Sequence, residues 1–193
     1  MTHWGFMGSS ITIHTLQTLM VCTCLLCCSA HAWASELAEG MPAPAIQLEL
    51  IGGGAFNSVD QSGKVVVLNF WATWCAPCRE EMPAIDAFYR AHRAEGLEVI
   101  AVSIDAPRDL DKIRRIVKNY SFATALALGK QASGYGRLSR VPVTFVIDRN
   151  GVLRFDGYKF AKLLDQPTLE KIVTPLLHNP RSALLADAKV LTP

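Results

Sequence analysis

Two cysteines, Cys75 and Cys78, stand three positions apart in the stretch NFWATWCAPCRE, directly after an apolar run. Such a pair could be a stabilising disulfide, half of a metal site or a redox centre. A bridge that closes so short a loop gains little loop-closure entropy, so it would stabilise the fold poorly. Structural zinc needs four ligands, and beyond residue 34 the chain adds only His92 and His178, neither at a finger-like spacing. The pair therefore favours thiol–disulfide chemistry.

The reactivity of the two cysteines depends on the elements that hold them. A thiol attacks a disulfide as its thiolate, so the attacking cysteine needs a lowered pKa and access. The β-branched run from Lys64 to Ala72 predicts a buried strand, and the 3–4 spacing of apolar residues after Cys78 predicts a helix. Cys75 then lies at the helix N-terminus, where free N–H groups and the helix dipole favour a negative sulfur. We expect Cys75 to be the exposed nucleophile and Cys78, one turn further in, the shielded resolving thiol.

Periodic apolar residues predict further elements on both sides of the cysteines. The chain should contain a short strand in IQLELIGG, a second buried strand in LEVIAVSID, an amphipathic helix in APRDLDKIRRIVKNY, a β-hairpin across Asn150-Gly151 and a last helix in PTLEKIVTPLLHN. Crossover helices between buried strands predict a central sheet with helices on both faces.

The first 34 residues have most features of an export signal. A short, mostly apolar run from Thr18 to Ala30 is followed by two A-x-A patterns, at residues 30–32 and 32–34, of the kind that precede a cleavage site. Residues 1–17 contain no Lys or Arg, so the positive end of such a signal is missing. The alternative is an uncleaved segment that tethers the domain to a membrane. The predicted organisation is a signal peptide or tether at 1–34, a linker at 35–45, one domain at 46–179 and a flexible tail at 180–193.

Composition excludes other classes of function. The net charge is +2 with both signs mixed along the chain, so no basic stripe supports nucleic-acid binding. Four of the six cysteines lie in the signal-like segment, which leaves only Cys75 and Cys78 in an exported chain. A domain of this size can fold on its apolar core alone and is not a disulfide-rich scaffold.

Two motifs together resemble a known family. The stretch VVLNFWATWCAPCREEMP is similar to the active-site strand and helix of the thioredoxin fold, most of all in the TlpA-like and ResA-like exported thiol–disulfide oxidoreductases. The stretch RVPVTFVIDRNGVL resembles the cis-proline segment of that family, and the likeness covers roughly residues 40 to 175. The resemblance implies an α/β thioredoxin-like fold, a central mixed sheet flanked by helices, and a periplasmic or otherwise extracytoplasmic enzyme.

The resemblance also implies roles for individual residues. Cys75 attacks, Cys78 resolves and Trp74 packs beside the pair. Pro142 is then a cis-proline opposite Cys75, and it turns the backbone of Val141 outward to hydrogen-bond a substrate segment. Without the resemblance, Pro142 reads as a proline that starts a strand, a position where proline is tolerated.

Three positions concern proton transfer. Many thioredoxins carry a buried aspartate six residues before the first cysteine, where this chain has Asn69, and Ala101 replaces the lysine expected on the next strand. Neither residue can titrate, so proton transfer must use another group or water. Glu81 matches a glutamate of the exported branch and is a candidate for tuning local electrostatics. A solvated or capping-turn carboxylate is the alternative for Glu81.

The implied activity is the reduction of protein disulfides, with electrons from a membrane carrier and cytochrome c maturation as a frequent destination. No metal and no dissociable cofactor are implied, because the cysteine pair carries both electrons, and membrane contact is expected only through an uncleaved N-terminal segment. The alternatives are a disulfide oxidase or isomerase, since C-x-x-C proteins span about −270 to −120 mV, and a non-enzymatic metal-handling protein. A peroxidase with a T-x-x-C site is excluded by spacing, because Thr73 lies two residues before Cys75.

Overall fold

The computed structural model describes Met1, residues 37–160 and residues 162–178. The predicted signal segment, apart from Met1, and the predicted tail at 180–193 lie outside these described residues. None of the helices in the described part is long and apolar enough to cross a membrane.

The strands and helices occur along the chain in the predicted order, with short strands also at Ala55–Asn57 and Ala123–Leu126. The strands are β1 (Gln47–Glu49), β2 (Ala55–Asn57), β3 (Val65–Trp71), β4 (Leu97–Ser103), β5 (Ala123–Leu126), β6 (Val143–Ile147) and β7 (Leu153–Asp156). The α-helices are α1 (Ala76–His92), α2 (Leu110–Val117) and α3 (Gln166–Leu177).

Five strands form a mixed sheet in the order β5-β4-β3-β6-β7. The pairs β3–β4 and β4–β5 are parallel, whereas β3–β6 and β6–β7 are antiparallel. Strands β1 and β2 pair separately as an antiparallel ribbon. The predicted α/β class with a central mixed sheet is confirmed, as is the hairpin across Asn150-Gly151. Its turn is held by the Asp148 carboxylate, which accepts hydrogen bonds from the N–H groups of Asn150 and Val152 at 2.9 and 3.0 Å.

Alternate residues of β3 serve two separate cores. All seven residues of the strand are buried, with Val67 and Trp71 on one face and Leu68 and Phe70 on the other. The first core contains apolar residues of all three α-helices, among them Met82, Ile85, Phe88, Ile113, Leu169 and Val173. The second core is closed by residues of the β1–β2 ribbon and of the loops, among them Ile46, Leu48, Phe56 and Tyr135.

The expectation of helices on both faces is therefore wrong for the described residues, because every α-helix there packs into the first core. The connections β3–α1–β4 and β4–α2–β5 step in the same direction across the sheet. Two right-handed crossovers that step in one direction place their helices on the same face. The sheet is covered on its other face by the β1–β2 ribbon together with connecting segments.

The sheet also brings two distant segments together. Phe70, next to the end of β3, pairs with Val143, the first residue of β6. Because the two strands are antiparallel, the residues before Val143 run alongside the loop that follows β3. That loop leads into α1, so the register places residues 141–142 next to the cysteine pair.

Candidate active site

The two cysteines are joined by a disulfide at the start of α1, with an S–S distance of 2.06 Å. Cys75 is the N-cap residue of the helix, and its Sγ accepts the N–H of Cys78 at 3.2 Å. Pro77 occupies the first turn, where its missing N–H costs no helical hydrogen bond. The structure thus confirms the predicted position of the pair at a strand-to-helix junction.

Both cysteines are buried, but their exposed fractions differ. Cys78 is fully buried, and Cys75 keeps only 4 % of its surface exposed. The expectation of an exposed Cys75 is wrong for this disulfide form, because the residue packs into the first core and the carbonyl oxygen of Val141 lies 3.6 Å from its Sγ. A disulfide sulfur carries no proton, so this is a packing contact. Cys75 is nevertheless the more exposed residue of the pair.

The segment predicted to bind substrate lies beside Cys75. The Val141–Pro142 peptide bond is cis, and both residues are half-buried. The carbonyl oxygen of Val141 lies 3.6 Å from the Sγ of Cys75. The structure therefore places Val141 and Pro142, both predicted from the sequence, beside the redox pair.

Trp74 stands out from the surface instead of packing closely. Its side chain is 66 % exposed, whereas the preceding Thr73 is half-buried. Trp74 contributes to a shallow depression whose lining residues are Thr73, Trp74, Arg79, Lys112, Arg115 and Ile116. The structure therefore places Trp74 next to the pair as a large exposed aromatic surface.

The loop that carries Trp74 and Cys75 is fixed by Asp105. The Asp105 carboxylate accepts the N–H of Thr73 and the Thr73 hydroxyl, both at 2.8 Å, and the Ser103 hydroxyl at 2.7 Å. Asp105 is only 6 % exposed, so these hydrogen bonds satisfy carboxylate oxygens that are largely shielded from water. Sequence reasoning missed this residue. The sequence signal for Asp105 was its position at the end of a predicted strand. That strand is parallel to the one before the cysteines, so the two strand ends lie at the same edge of the sheet.

Glu81 lies one turn beyond Cys78 on α1 and is only 3 % exposed. One carboxylate oxygen accepts a hydrogen bond from the Asn69 side-chain amide at 2.7 Å, and the other accepts the N–H of Leu164 at 3.2 Å. Burial raises the pKa of Glu81, and the two hydrogen bonds oppose this shift only in part. The alternative of a solvated or capping-turn carboxylate is therefore wrong.

Asn69 links Glu81 to the sheet. Its amide nitrogen donates to Glu81 and also to the Thr144 hydroxyl, at 2.9 Å. Its partner on β4 is Ala101, as the sequence indicated. Asn69, Thr144 and Ala101 cannot serve as proton acceptors, whereas Glu81 can titrate. Glu81 is therefore the buried proton-exchanging group closest to Cys78 along α1.

Comparisons with known proteins agree with this arrangement. The model of the AhpC/TSA family matches residues 40–156, which include all seven strands and both cysteines. Thioredoxin-like protein YneN of Bacillus subtilis is 34 % identical over 119 residues, covering 60 % of this chain and 69 % of that protein. The thiol-disulfide oxidoreductase ResA of Bacillus cereus is 32 % identical over 135 residues, covering 69 % of this chain and 73 % of ResA. A solved structure assigned as the thiol:disulfide interchange protein DsbE of Chlorobium tepidum superimposes with a TM-score of 0.63 at 30 % identity, covering 73 % of this chain and 99 % of that one.

Proposed function

The chain belongs to the AhpC/TSA family as a ResA-like thiol–disulfide oxidoreductase with the thioredoxin fold, and from this premise we propose that it reduces protein disulfides outside the cytoplasm. One observation carries the proposal: the Cys75–Cys78 disulfide caps the N-terminus of α1, with Cys75 4 % exposed and Cys78 fully buried. This asymmetry supports an attacking and a resolving role for the two residues.

The proposed exchange moves two electrons from the protein to its substrate. In the reduced protein, the Cys75 thiolate attacks one sulfur of the substrate disulfide, and the other substrate sulfur leaves as a thiolate that takes up a proton. The Cys78 thiolate then attacks the Cys75 sulfur and releases the second substrate thiolate. The protein is left with the disulfide described above. The N–H of Cys78 and the positive end of α1 point to Cys75 and favour its thiolate.

Glu81 is the proposed proton acceptor for Cys78. The resolving thiol must lose its proton inside the core before it can attack, and Asn69 cannot accept one. A carboxyl group with a raised pKa is closer to the pKa of a thiol than a solvated one, which makes proton transfer between them easier. The position of Glu81 one turn beyond Cys78 supports this role.

Val141 is the proposed contact for the substrate backbone. An incoming disulfide must approach Cys75 along the sulfur–sulfur axis, so the chain that carries it has to be held. The Val141 backbone lies beside the sulfur and can pair with an extended substrate segment in strand-like fashion. Trp74, which precedes Cys75 in the chain, offers an exposed apolar surface.

Three finer parts of the proposal concern the cellular role. We place the enzyme in the periplasm or an equivalent compartment, with a membrane dithiol protein as its electron donor, because the N-terminal segment resembles an export signal. Terminal sequencing of exported protein should find Trp33 or Ser35 first, whereas an intact Met1 on membrane-bound protein would support the tether.

Cytochrome c maturation is the proposed destination, since a C-x-x-C-H pair must be reduced before it can bond haem. A deletion strain should then lose covalently bound haem.

An equilibrium titration of the cysteine pair against glutathione or dithiothreitol tests the direction of exchange. A reductant should have a midpoint near that of thioredoxin, about −270 mV, because it must donate electrons to protein disulfides. A midpoint near about −120 mV, typical of strong disulfide oxidants, would replace the proposal with an oxidase.

A further inference from the structure

The depression beside Cys75 carries an excess of positive charge. Three of its six lining residues, Arg79, Lys112 and Arg115, are cationic, and none is acidic. Its apolar part comes from Trp74, which is 66 % exposed, and from Ile116. Exposed tryptophan and arginine together are typical of protein interfaces and are uncommon on surfaces that only face water.

The cations of this depression are only partly neutralised. Arg79 donates to the carbonyl oxygen of Thr73 at 3.0 Å, which uses one arm of the guanidinium, and no carboxylate of the described residues pairs with it. Lys112 pairs with Asp109 at 2.7 Å, but the same carboxylate also lies 4.0 Å from Arg108. Within residues 37–160 and 162–178, Arg115 makes no ion pair. The surface therefore has unused capacity for anionic groups.

A further cation lies in the segment that contacts the disulfide. Arg140 directly precedes Val141, the residue whose carbonyl oxygen contacts Cys75. The Arg140 guanidinium donates to the carbonyl oxygen of Tyr158 at 2.9 Å and lies 5.8 Å from the centre of that ring, so its position is set. The exposed carboxylate of Glu80 on α1 does not line the depression. Both segments next to the reactive sulfur thus present positive charge.

We propose that this basic–aromatic face (Thr73, Trp74, Arg79, Lys112, Arg115 and Ile116) selects protein substrates whose disulfide is flanked by Asp or Glu. The inference rests on the proposed function and names its substrate class. Carboxylates beside the target cysteines would form charge-assisted hydrogen bonds with the arginines, while an apolar substrate side chain packs on Trp74. The field of the face would also steer acidic segments toward Cys75 and raise the rate of encounter.

An acidic peptide fits this face better than an anionic membrane does. The face adjoins Cys75, which is only 4 % exposed. A bilayer laid on Trp74 would close the remaining approach to Cys75 and stop exchange. A peptide that carries the disulfide itself uses the same contacts and delivers the reacting sulfur to that opening.

The test compares two synthetic peptide disulfides that differ only in flanking residues, Asp in one and Lys in the other. The dithiothreitol-reduced protein, freed of reductant, is mixed with each peptide and with neutral hydroxyethyl disulfide, and single-turnover rates are measured. At low salt the acidic peptide should react at least about tenfold faster than the basic one, and the ratio should fall toward one at about 1 M salt, where the Debye length is about 3 Å.

Matched variants locate the preference. The double variant Lys112→Glu and Arg115→Glu should lose the preference for the acidic peptide. Arg93→Glu makes the same kind of charge change at the other end of α1, about 25 Å away for a 17-residue helix, and should keep the preference. All three substituted side chains are exposed, and thermal unfolding followed by circular dichroism checks that each variant is folded.

Each outcome decides between the claims. Equal rates for the two peptides, or a preference that survives in the double variant, overturn the inference and leave the proposed function standing. If the protein reduces none of the three disulfides, the proposed function is overturned and the inference falls with it. Equal peptide rates together with binding to phosphatidylglycerol vesicles that the double variant loses would assign the face to a membrane surface and overturn the inference.

Discussion

The side-chain amide of Asn69 donates a 2.7 Å hydrogen bond to the Glu81 carboxylate inside the core, twelve residues away in sequence. Asn69 is 1 % exposed and Glu81 3 % exposed, so water does not compete for this contact. The amide holds the carboxyl group in place without being able to take its proton. Of this pair only Glu81 can titrate, and it is held in a fixed position on the helix that carries both cysteines.

Glu81→Gln should slow the resolving step while leaving attack by Cys75 largely intact. The substitution keeps a side chain of the same length but removes the group that accepts a proton, and general base contributions are of order 10²-fold or more. Rapid quenching should show the mixed disulfide accumulating. Glu80→Gln is the matched control, because that neighbouring carboxylate is exposed and should have no such effect. An unchanged resolving rate in Glu81→Gln would remove Glu81 from the mechanism.

The pH dependence of stability should also report on Glu81. Its pKa is raised by burial in the folded protein, so the folded state holds the proton more tightly than the unfolded chain, whose value is 4.5. The stability contributed by this group is thus fully present below pH 4.5 and is lost as pH rises through the raised value. Urea unfolding of the oxidised protein at several pH values should show Glu81→Gln gaining stability relative to the wild type as pH rises. A constant difference across that range would contradict a raised pKa.

Asymmetry between the cysteines should appear in trapping experiments. Cys78→Ser keeps the attacking thiolate but lacks the resolving one, so it should accumulate a disulfide-linked complex with its substrate. Cys75→Ser, the matched control, leaves only the fully buried sulfur and should trap little. In the reduced wild type, alkylation should likewise be faster at Cys75 than at Cys78. Equal trapping by the two variants, or faster alkylation of Cys78, would be inconsistent with the assigned roles.

The contact between Asp105 and Thr73 should matter for both stability and exchange. In Asp105→Asn, one of the two carboxylate oxygens becomes an NH₂ group, which faces either the Thr73 N–H or the Thr73 hydroxyl, both of which now donate to Asp105. Two donors then meet, and the buried polar group left without an acceptor costs about 1–3 kcal/mol. The loop before Cys75 then loses its anchor, so exchange with protein substrates should slow as well. Thr73→Ser retains both donors and should remain close to the wild type in urea unfolding and in rate. If Asp105→Asn matched Thr73→Ser in both measurements, the loop would be held by other contacts.

Local patterns in the sequence determined much of this protein. The β-branched run before the cysteines, the 3–4 spacing of apolar residues after Cys78 and the Asn150-Gly151 turn each act through neighbouring residues, so they predicted β3, α1 and the β6–β7 hairpin. The position of Cys75 at a helix N-terminus follows from two adjacent elements. It needs no knowledge of the rest of the chain.

Contacts between distant segments decided the rest. Glu81 has the sequence context of an exposed helical carboxylate. It is buried because Asn69 and Leu164, the latter 83 residues after Glu81, both pack against it and hydrogen-bond to its carboxylate. Asp105 meets Thr73 across 32 residues because β3 and β4 are parallel neighbours that end at one edge of the sheet. Periodicity in a sequence shows which faces of an element are apolar, but it does not show which element covers them. The environment of the cysteine pair is therefore a property of strand order and packing.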